Sequence, residues 1–381
     1  MKPPTVPNGL ELRALNGANP LGFLAALGTL MTLQKAGHPD ARLGWQRSVH
    51  WIPVLYRLST LDLQELANAI SVALRGKQVA ARAETERDFA QRAFDAAKKA
   101  VKDQAAEIKK RKLKGDVRIA ADAEEVAPLR QISNEKRDAW LAALKQAVPS
   151  EELALGKHID CTPDEYREHA LSLIQSASQE HRQSTDFLAA FGSDAVAEKN
   201  GRIRGTPFCF ITGSGHQYFL DTVRQLIEQA SPERVYRALF SQWEYRDERL
   251  SMRWDPVEDR RYALMDRDPT VSDNKSRTVW MANLLAYRSL VLFPCAATAH
   301  GLEVAGWTES ESDLVFTWPI WERPLCPDVI RSLLQMQELH HTELDRSQLR
   351  ARGLVAAFRS RRIQVGDPPL YKMNFTPARS L

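Results

Sequence analysis

The sequence predicts an α+β protein, a mixed globular body with short antiparallel strands into which a long helical hairpin arm is inserted. Three features of the 381-residue chain support this prediction. An apolar helical pattern lies near the start, a stretch of 38 residues without Gly or Pro follows it, and short apolar runs bounded by Gly or Pro fill the remainder. No period of about 20 to 50 residues repeats, so a solenoid or propeller is not expected.

The first element is predicted from residues 19–37, NPLGFLAALGTLMTLQKAG. Asn19 can cap a helix with Pro20 at its first position, and Gly37 can follow its end. The helix is apolar nearly all round and must therefore be buried. Small residues at spacings of i, i+3, i+4 and i+7 predict that another element packs unusually close along one face. These residues are Gly22, Ala25, Ala26 and Thr29.

The second element is the Gly- and Pro-free stretch from 77 to 114, which is rich in Ala, Glu, Lys and Gln. At about 1.5 Å per residue, a continuous helix of this length would reach roughly 57 Å. Large apolar residues are sparse and recur at a seven-residue spacing from Phe94, so they form only a narrow seam. A second helical pattern at 134–148, with Trp140 on its apolar side, is expected to fold back against that seam.

After Pro149 the pattern changes to short elements. Apolar runs predict strands near 207, 290, 313, 362 and 371. Helical patterns lie between them, near 163–178, 216–242, 276–289, 326–339 and 345–360. We therefore expect three parts: an N-terminal part of the body with a buried helix at 1–70, a basic helical hairpin arm at 71–150, and a main α+β body at 151–381 that ends in helices.

The cysteines and the N-terminus predict a cytoplasmic protein without a membrane partner. The four cysteines lie far apart and form no CxxC pair, so reduced and mostly buried thiols are expected. The N-terminus lacks the basic and apolar regions of a signal peptide, and the apolar run at 21–33 is shorter than the roughly 20 residues of a membrane span.

No motif for a cofactor, a metal or a covalent nucleophile is found, and none of these is expected. The turn at Gly213, Ser214 and Gly215 lacks the Lys of a P-loop and the third Gly of a dinucleotide fold. His158 and Cys161 flank Asp160 without the second ligand pair that a structural zinc site needs. No GxSxG sequence occurs.

One acidic cluster keeps an enzymatic alternative open. The segment WDPVEDRRYAL supplies Asp255, Glu258 and Asp259, which a metal-dependent nuclease or other phosphodiester enzyme could use. Arg260 and Arg261 follow directly, and a turn locked by ion pairs accounts for the same composition. Cleavage of DNA by the purified protein with Mg²⁺ or Mn²⁺ would distinguish the two interpretations.

The positive charge of the chain is concentrated in one segment. Residues 75–118 contain 14 Lys and Arg against 7 Asp and Glu, a net charge of +7, whereas the remainder carries −3. The densest part lies where the hairpin is expected to turn. It contains Lys109, Lys110, Arg111, Lys112 and Lys114. Such a cluster suits contact with the backbone of a polyanion. Two other interpretations are a binding site for an acidic protein and a solvated helix face without a partner.

Two loops are candidates for contact with base edges, which requires rigidly held Arg, Lys, Asn or Gln side chains. The first, AEKNGRIRGTP at 197–207, carries Lys199, Asn200, Arg202 and Arg204 between glycines. The second carries Lys275 and Arg277. Residues 236–262 also interleave aromatics with arginines, as nucleic-acid grooves do, but their six acidic and six basic residues favour an ion-paired core element.

Several segments together resemble a known family. They are LRALNGANPLGFLAALGTL near the start, DFLAAFGSDA at 186, FCFITGSGHQYFLDTVRQL at 208, MRWDPVEDRRYAL at 252 and MANLLAYRSLVLFP at 281. Outside the arm, most of the chain resembles the CRISPR-associated large-subunit family of subtype I-G, formerly I-U.

The resemblance implies a non-catalytic, DNA- and RNA-binding subunit of the Cascade surveillance complex of antiviral defence. Such a subunit recognises the short motif that flanks the target, the PAM, helps to open the duplex and recruits a separate helicase-nuclease. The implied partners are target DNA, guide RNA, backbone subunits and the helicase-nuclease. The resemblance assigns none of these roles to a numbered residue of this chain.

Overall fold

The computed structural model describes residues 9–60, 62–159, 161–175, 182–209, 218–258, 277–310, 313–341, 343–365 and 372–381. The chain divides into two compact units, Met1–Gly76 with Lys157–Leu381, which we call the body, and Lys77–Gly156, which we call the arm. Helices and small antiparallel sheets make up the described residues, so the predicted α+β class is confirmed. Among them, no helix has the length and apolar character needed to cross a membrane.

The first part of the body contains a small sheet that the sequence patterns did not predict. Its elements are β1 (Leu10–Glu11), α1 (Pro20–Lys35), β2 (Arg42–Arg47), β3 (Trp51–Tyr56) and α2 (Leu63–Arg75). The three strands are antiparallel in the order β1-β3-β2. As predicted, the Asn19 side chain caps α1, since its Oδ1 accepts from the backbone N–H groups of Leu21 at 2.8 Å and Gly22 at 3.3 Å.

Helix α1 lies in the core of the body, with every residue from 20 to 33 buried. Its close neighbour is helix α10 (Trp280–Arg288). The predicted stripe of small residues is buried, and Gly28, outside the stripe, lies against the backbone of α10. A Cβ atom at Gly28 would lie 1.6 Å from the carbonyl oxygen of Leu285, so only glycine fits there without displacing α10.

The arm is a helical hairpin. Its elements are α3 (Ala81–Lys110), α4 (Gly115–Ala121), a π-helical turn (Asp122–Val126) and α5 (Ala127–Gln146). Phe94 of α3 stacks on Trp140 of α5 with ring centroids 5.5 Å apart, so the second helix folds back on the apolar seam as predicted. Helix α5 begins earlier than the predicted 134.

The middle of the body alternates short helices with two-stranded sheets. The elements are α6 (Pro163–Gln175), α7 (Arg182–Phe191), β4 (Gly192–Ala197), β5 (Ile203–Gly205), α8 (Phe219–Glu228), α9 (Pro232–Phe240), β6 (Asp247–Glu248), β7 (Arg277–Thr278), α10, β8 (Cys295–Thr298) and β9 (Gly301–Val304). The strands pair as β4-β5, β6-β7 and β8-β9. All four cysteines are free, two of them buried and two partly exposed.

Two predicted strands in this region are wrong where the structure describes them. Residues 207–209 form a turn, and the rest of that run lies outside the described residues. The run near 290 continues α10 as a 3-10 helix over Ser289–Leu292, and β8 starts only at Cys295. Ser289–Leu292 is buried throughout, and a continuous apolar run of this kind does not by itself distinguish a strand from a buried helix.

The last part of the body is a five-stranded antiparallel sheet. Its elements are β10 (Trp307–Ser310), β11 (Asp313–Trp321), α11 (Pro327–Leu334), α12 (Arg346–Ala351), β12 (Leu354–Val365), β13 (Lys372–Phe375) and β14 (Arg379–Ser380). The strand order is β10-β11-β12-β13, and β14 also pairs with β12. The strands predicted near 313, 362 and 371 are therefore present.

The predicted helix at 345–360 and the predicted helical end of the body are wrong. Helix α12 stops at Ala351, and Gly353, with a φ of +82°, lies in the left-handed conformation that commonly follows a helix. From Leu354 the chain forms β12, which pairs with β11 along most of that strand, with Phe358 opposite Trp318. Pairing with a distant strand overrides the local helical pattern.

Candidate nucleic-acid interface

The predicted basic cluster lies at the turn of the arm. Lys109 and Lys110 end α3, Arg111 and Lys112 form the turn, and Lys114 is the N-cap residue of α4. All five side chains are exposed. Lys112 has a φ of +54° and Gly115 a φ of +55°, so two left-handed residues reverse the chain within a few positions. The α4 helix that follows buries none of its side chains.

Local carboxylates pair with only part of this cluster. Lys110 Nζ lies 3.2 Å from Glu107 Oε2, and Arg111 Nη1 lies 2.7 Å from Glu125 Oε1. The hydrogen bond from Arg111 holds the pKa of Glu125 below its ordinary value. Within the described ranges, no carboxylate oxygen lies within 4.0 Å of Lys109, Lys112 or Lys114. These three lysines are therefore the uncompensated charges of the turn.

The loop at 197–207 carries the turn of the β4-β5 hairpin. Glu198 N–H donates to the carbonyl of Arg202 at 2.7 Å, and Gly201, with a φ of +78°, occupies a left-handed position in the turn. Asn200 stabilises this turn, since its Oδ1 accepts from Arg202 N–H at 2.9 Å and its Nδ2 donates to Glu198 at 3.2 Å. Lys199 and Arg204 are exposed and Arg202 is half-buried. Of the four predicted residues, Asn200 thus has a structural role in the turn.

The second predicted pair is described only in part. Arg277 is exposed and lies in β7, where it pairs in register with Glu248 of β6. A carboxylate-bearing residue directly across the ladder reduces the local positive charge. Lys275 lies outside the described residues.

The acidic cluster is buried and hydrogen-bonded. Asp255 Oδ1 accepts from Asn19 Nδ2 at 2.8 Å and from Val257 N–H at 2.9 Å, and its Oδ2 accepts from the Tyr245 hydroxyl at 2.8 Å. Glu258 Oε2 accepts from Ser251 Oγ at 2.5 Å. Asp259 lies outside the described residues. In the part of the chain that the structure describes, no group of three or more His, Cys, Asp and Glu side chains is placed to hold a metal ion.

The electrostatic environment of Glu258 is unusual. The pKa of Glu258 is raised to about 7 because burial, with a smaller contribution from the charge of Asp255, outweighs the opposing effect of the Arg253 guanidinium. Between the ordinary pKa of 4.5 and a pH of about 7, this buried carboxyl group is mostly protonated, whereas exposed carboxyl groups are charged.

A basic groove on the body was not predicted from the sequence. Arg47, Val49 and His50 of the β2-β3 hairpin face Arg346 and Arg350 of α12 across a cavity of about 570 Å³. None of the residues that line this cavity is Asp or Glu. The groove brings together segments about 300 residues apart in sequence, so no local charge run marks it.

Neither the scan against protein-family models nor the search of curated proteins finds a match to the chain. Three of the segments that carry the family resemblance contact one another where the structure describes them. Asn19 contacts Asp255, Gly28 contacts Leu285, and Met252 N–H donates to Asn283 Oδ1 at 2.9 Å.

Proposed function

We propose that this protein is a non-catalytic, nucleic-acid-binding subunit of a CRISPR surveillance complex. In this role it contacts target DNA next to the guide-paired region, reads a flanking motif and helps to recruit a helicase-nuclease. The family resemblance is the basis for the proposed partners, which are target DNA, guide RNA, backbone subunits and the helicase-nuclease. The observation that supports nucleic-acid binding is the exposed cluster at the turn of the arm.

The turn suits contact with phosphates. Lys109, Lys112 and Lys114 are exposed and lack carboxylate partners among the described residues, so their charges are available to an anionic ligand. Each lysine that neutralises a phosphate releases a condensed counterion, whatever the base sequence. This part of the arm would therefore position the protein on DNA without reading sequence.

The β4-β5 hairpin is the better candidate for reading the flanking motif. Its turn is held by backbone hydrogen bonds and by Asn200, so Lys199 and Arg204 project from a defined backbone. Rigidly held side chains of these types are those that discriminate between bases in the major groove.

The acidic cluster supplies no observation in favour of the nuclease alternative. Both carboxylate oxygens of Asp255 accept hydrogen bonds inside the body, and Glu258 is buried beside Arg253. Two-metal hydrolysis requires carboxylates that face a shared, accessible cation site.

The proposal is tested by duplex binding as a function of salt. Replacing Lys109, Lys110, Arg111 and Lys112 by glutamine should reduce the slope of log affinity against log salt by about 2 to 4, because each lost phosphate contact changes it by about 0.9 and two of these four cations already pair with carboxylates. The matched control replaces four other exposed cations of the arm, Arg82, Lys98, Lys99 and Arg130, by glutamine.

The proposal is supported if the slope of log affinity against log salt falls less in the control than in the turn variant. If the wild-type protein does not bind duplex DNA at low salt, or if the turn variant keeps the full slope, the arm does not bind DNA. Binding of an acidic polypeptide in place of DNA would favour the scaffold interpretation.

A further inference from the structure

The cations of the basic groove come from two elements of the body, the β2-β3 hairpin and α12. Arg47 ends β2 opposite Trp51 of β3, and its guanidinium carbon lies 5.8 Å from the centroid of the Trp51 ring. Arg346 and Arg350 lie four residues apart on α12 and therefore on the same helix face. Asp345 caps this helix by accepting from Ser347 N–H at 2.9 Å, so the carboxylate nearest in sequence is already engaged.

The arginines of the groove are not paired with Asp or Glu side chains among the described residues. Across the described ranges, Arg47, Arg346 and Arg350 form no ion pair. Other exposed arginines of the body do, as with Arg167 and Asp194 at 2.7 Å. Three guanidinium groups around one cavity create a positive potential that attracts an anionic ligand.

The chemistry of the groove suits an oxyanion such as phosphate. A guanidinium group presents two parallel N–H donors that match the oxygens of a phosphate. The cavity of about 570 Å³ lies within the range of ligand pockets, about 300 to 1,000 Å³, and is small for a duplex. Its large aromatic lining residues, Trp51 and Phe358, are buried, and the half-buried imidazole of His50 is the remaining ring in the lining, so the groove offers little surface on which bases could stack.

We infer that the basic groove binds the sugar-phosphate backbone of a single nucleic-acid strand. The inference rests on the proposed function, because it takes nucleic acid to be the ligand of this protein. It adds a second contact surface, on the body, to the turn of the arm. Binding in the groove depends on phosphate charge and only weakly on base identity.

The test is binding of a fluorescently labelled, mixed-sequence single-stranded DNA by the full-length protein, followed by anisotropy across a salt series. The groove variant carries Arg47→Gln, Arg346→Gln and Arg350→Gln. The control carries Arg167→Gln, Arg246→Gln and Arg361→Gln, which removes the same charge at exposed arginines that pair with carboxylates. All three groove arginines are exposed, so the thermal stability of the groove variant should stay close to that of the wild type.

The groove variant should bind the strand about tenfold more weakly at low salt, and its salt slope should fall by about 2, since each contact to a single strand contributes about 0.7. The control should change much less. Replacing the same three arginines by lysine should restore part of the binding, because lysine keeps the positive charge but lacks the paired N–H donors of the guanidinium group.

Equal binding of the single strand by the groove and control variants would overturn the inference. If the turn variant still loses duplex binding in that case, the proposed function stands without the groove. Failure of the wild-type protein to bind either duplex or single strand would reject both. Competition by inorganic triphosphate that matches the strand at equal phosphate concentration would also overturn the inference, because the groove would then be a small-anion pocket.

Discussion

Asn19 and Asp255, 236 residues apart in the chain, are joined by a hydrogen bond of 2.8 Å from Asn19 Nδ2 to Asp255 Oδ1. The same Asn19 side chain uses its oxygen to cap α1. One residue therefore ends the loop before the central helix and anchors that helix to the 251–258 segment. The carboxylate of Asp255 is only 4% exposed, and its hydrogen bonds offset the cost of burying it.

Replacing Asp255 by alanine should lower the free energy of unfolding by about 3 kcal/mol, because the donors on Asn19 and Tyr245 would remain buried without an acceptor. Asp255→Asn should cost less, since one side-chain oxygen is kept. Urea denaturation measures both changes, with Asp40→Ala as an exposed control. Equal stability of Asp255→Ala and the control would mean that this network does not hold the body together.

Gly28→Ala should destabilise the body strongly. The new Cβ would lie 1.6 Å from the carbonyl oxygen of Leu285, so α1 and α10 must separate, and overpacking of this kind costs about 1 to 3 kcal/mol or more. Gly205→Ala is the matched control, because the nearest atom to its new Cβ is 3.6 Å away. Melting temperatures distinguish the two, and an unchanged value for Gly28→Ala would contradict the close packing.

The stability of the body should fall as the pH rises from about 4.5 to about 7, because of Glu258. Burial raises the pKa of Glu258 to about 7, against an ordinary value of 4.5 in the unfolded chain. The folded state therefore binds this proton more tightly. The contribution, about 3 kcal/mol, is fully present below about pH 4.5 and is lost as the pH passes about 7.

Glu258→Gln removes this titration and keeps the shape of the side chain. Urea unfolding at a series of pH values from 5 to 8 should give a flatter profile for the variant than for the wild type. Parallel profiles would show that Glu258 is not protonated preferentially in the folded protein.

Arg204→Ala or Arg202→Ala in the assembled complex should weaken binding to targets with the correct flank by about 1 to 3 kcal/mol, the usual contribution of one good base contact. Non-specific duplex should be bound almost as before. Competition assays with correct and scrambled flanks measure the difference. Equal losses on both would indicate that these arginines contact only phosphates, and no loss on either would place the reading site elsewhere.

Local patterns predicted the elements whose stability is largely local. The cap at Asn19, the apolar run behind it and the Gly- and Pro-free stretch of the arm all specify helices by themselves. The pairing of Phe94 with Trp140 followed from the seven-residue spacing of a sparse seam. The position of the basic cluster along the chain was predictable. The ion pairs that its residues form with Glu107 and Glu125 were not.

Elements that depend on distant partners were missed or assigned wrongly. The segment after Gly353 was predicted to continue the helix that precedes it. It forms β12 because it pairs with β11 along most of that strand. The β2-β3 hairpin was not predicted. Without this hairpin, the sequence gives no reason to place Arg47 and Arg346 at the same cavity, so the basic groove was not predicted.

The sequence by itself determined the α+β class, the buried first helix, the helical arm and the concentration of positive charge in it, because capping, periodicity and charge runs act over a few residues. Only the tertiary structure decided that Gly28 lies against the backbone of α10, that Asp255 is a buried hydrogen-bond acceptor, and that Arg47 lines one groove with the distant Arg346 and Arg350. Burial and charge compensation depend on which residues meet in space, and a single chain without its fold does not specify those neighbours.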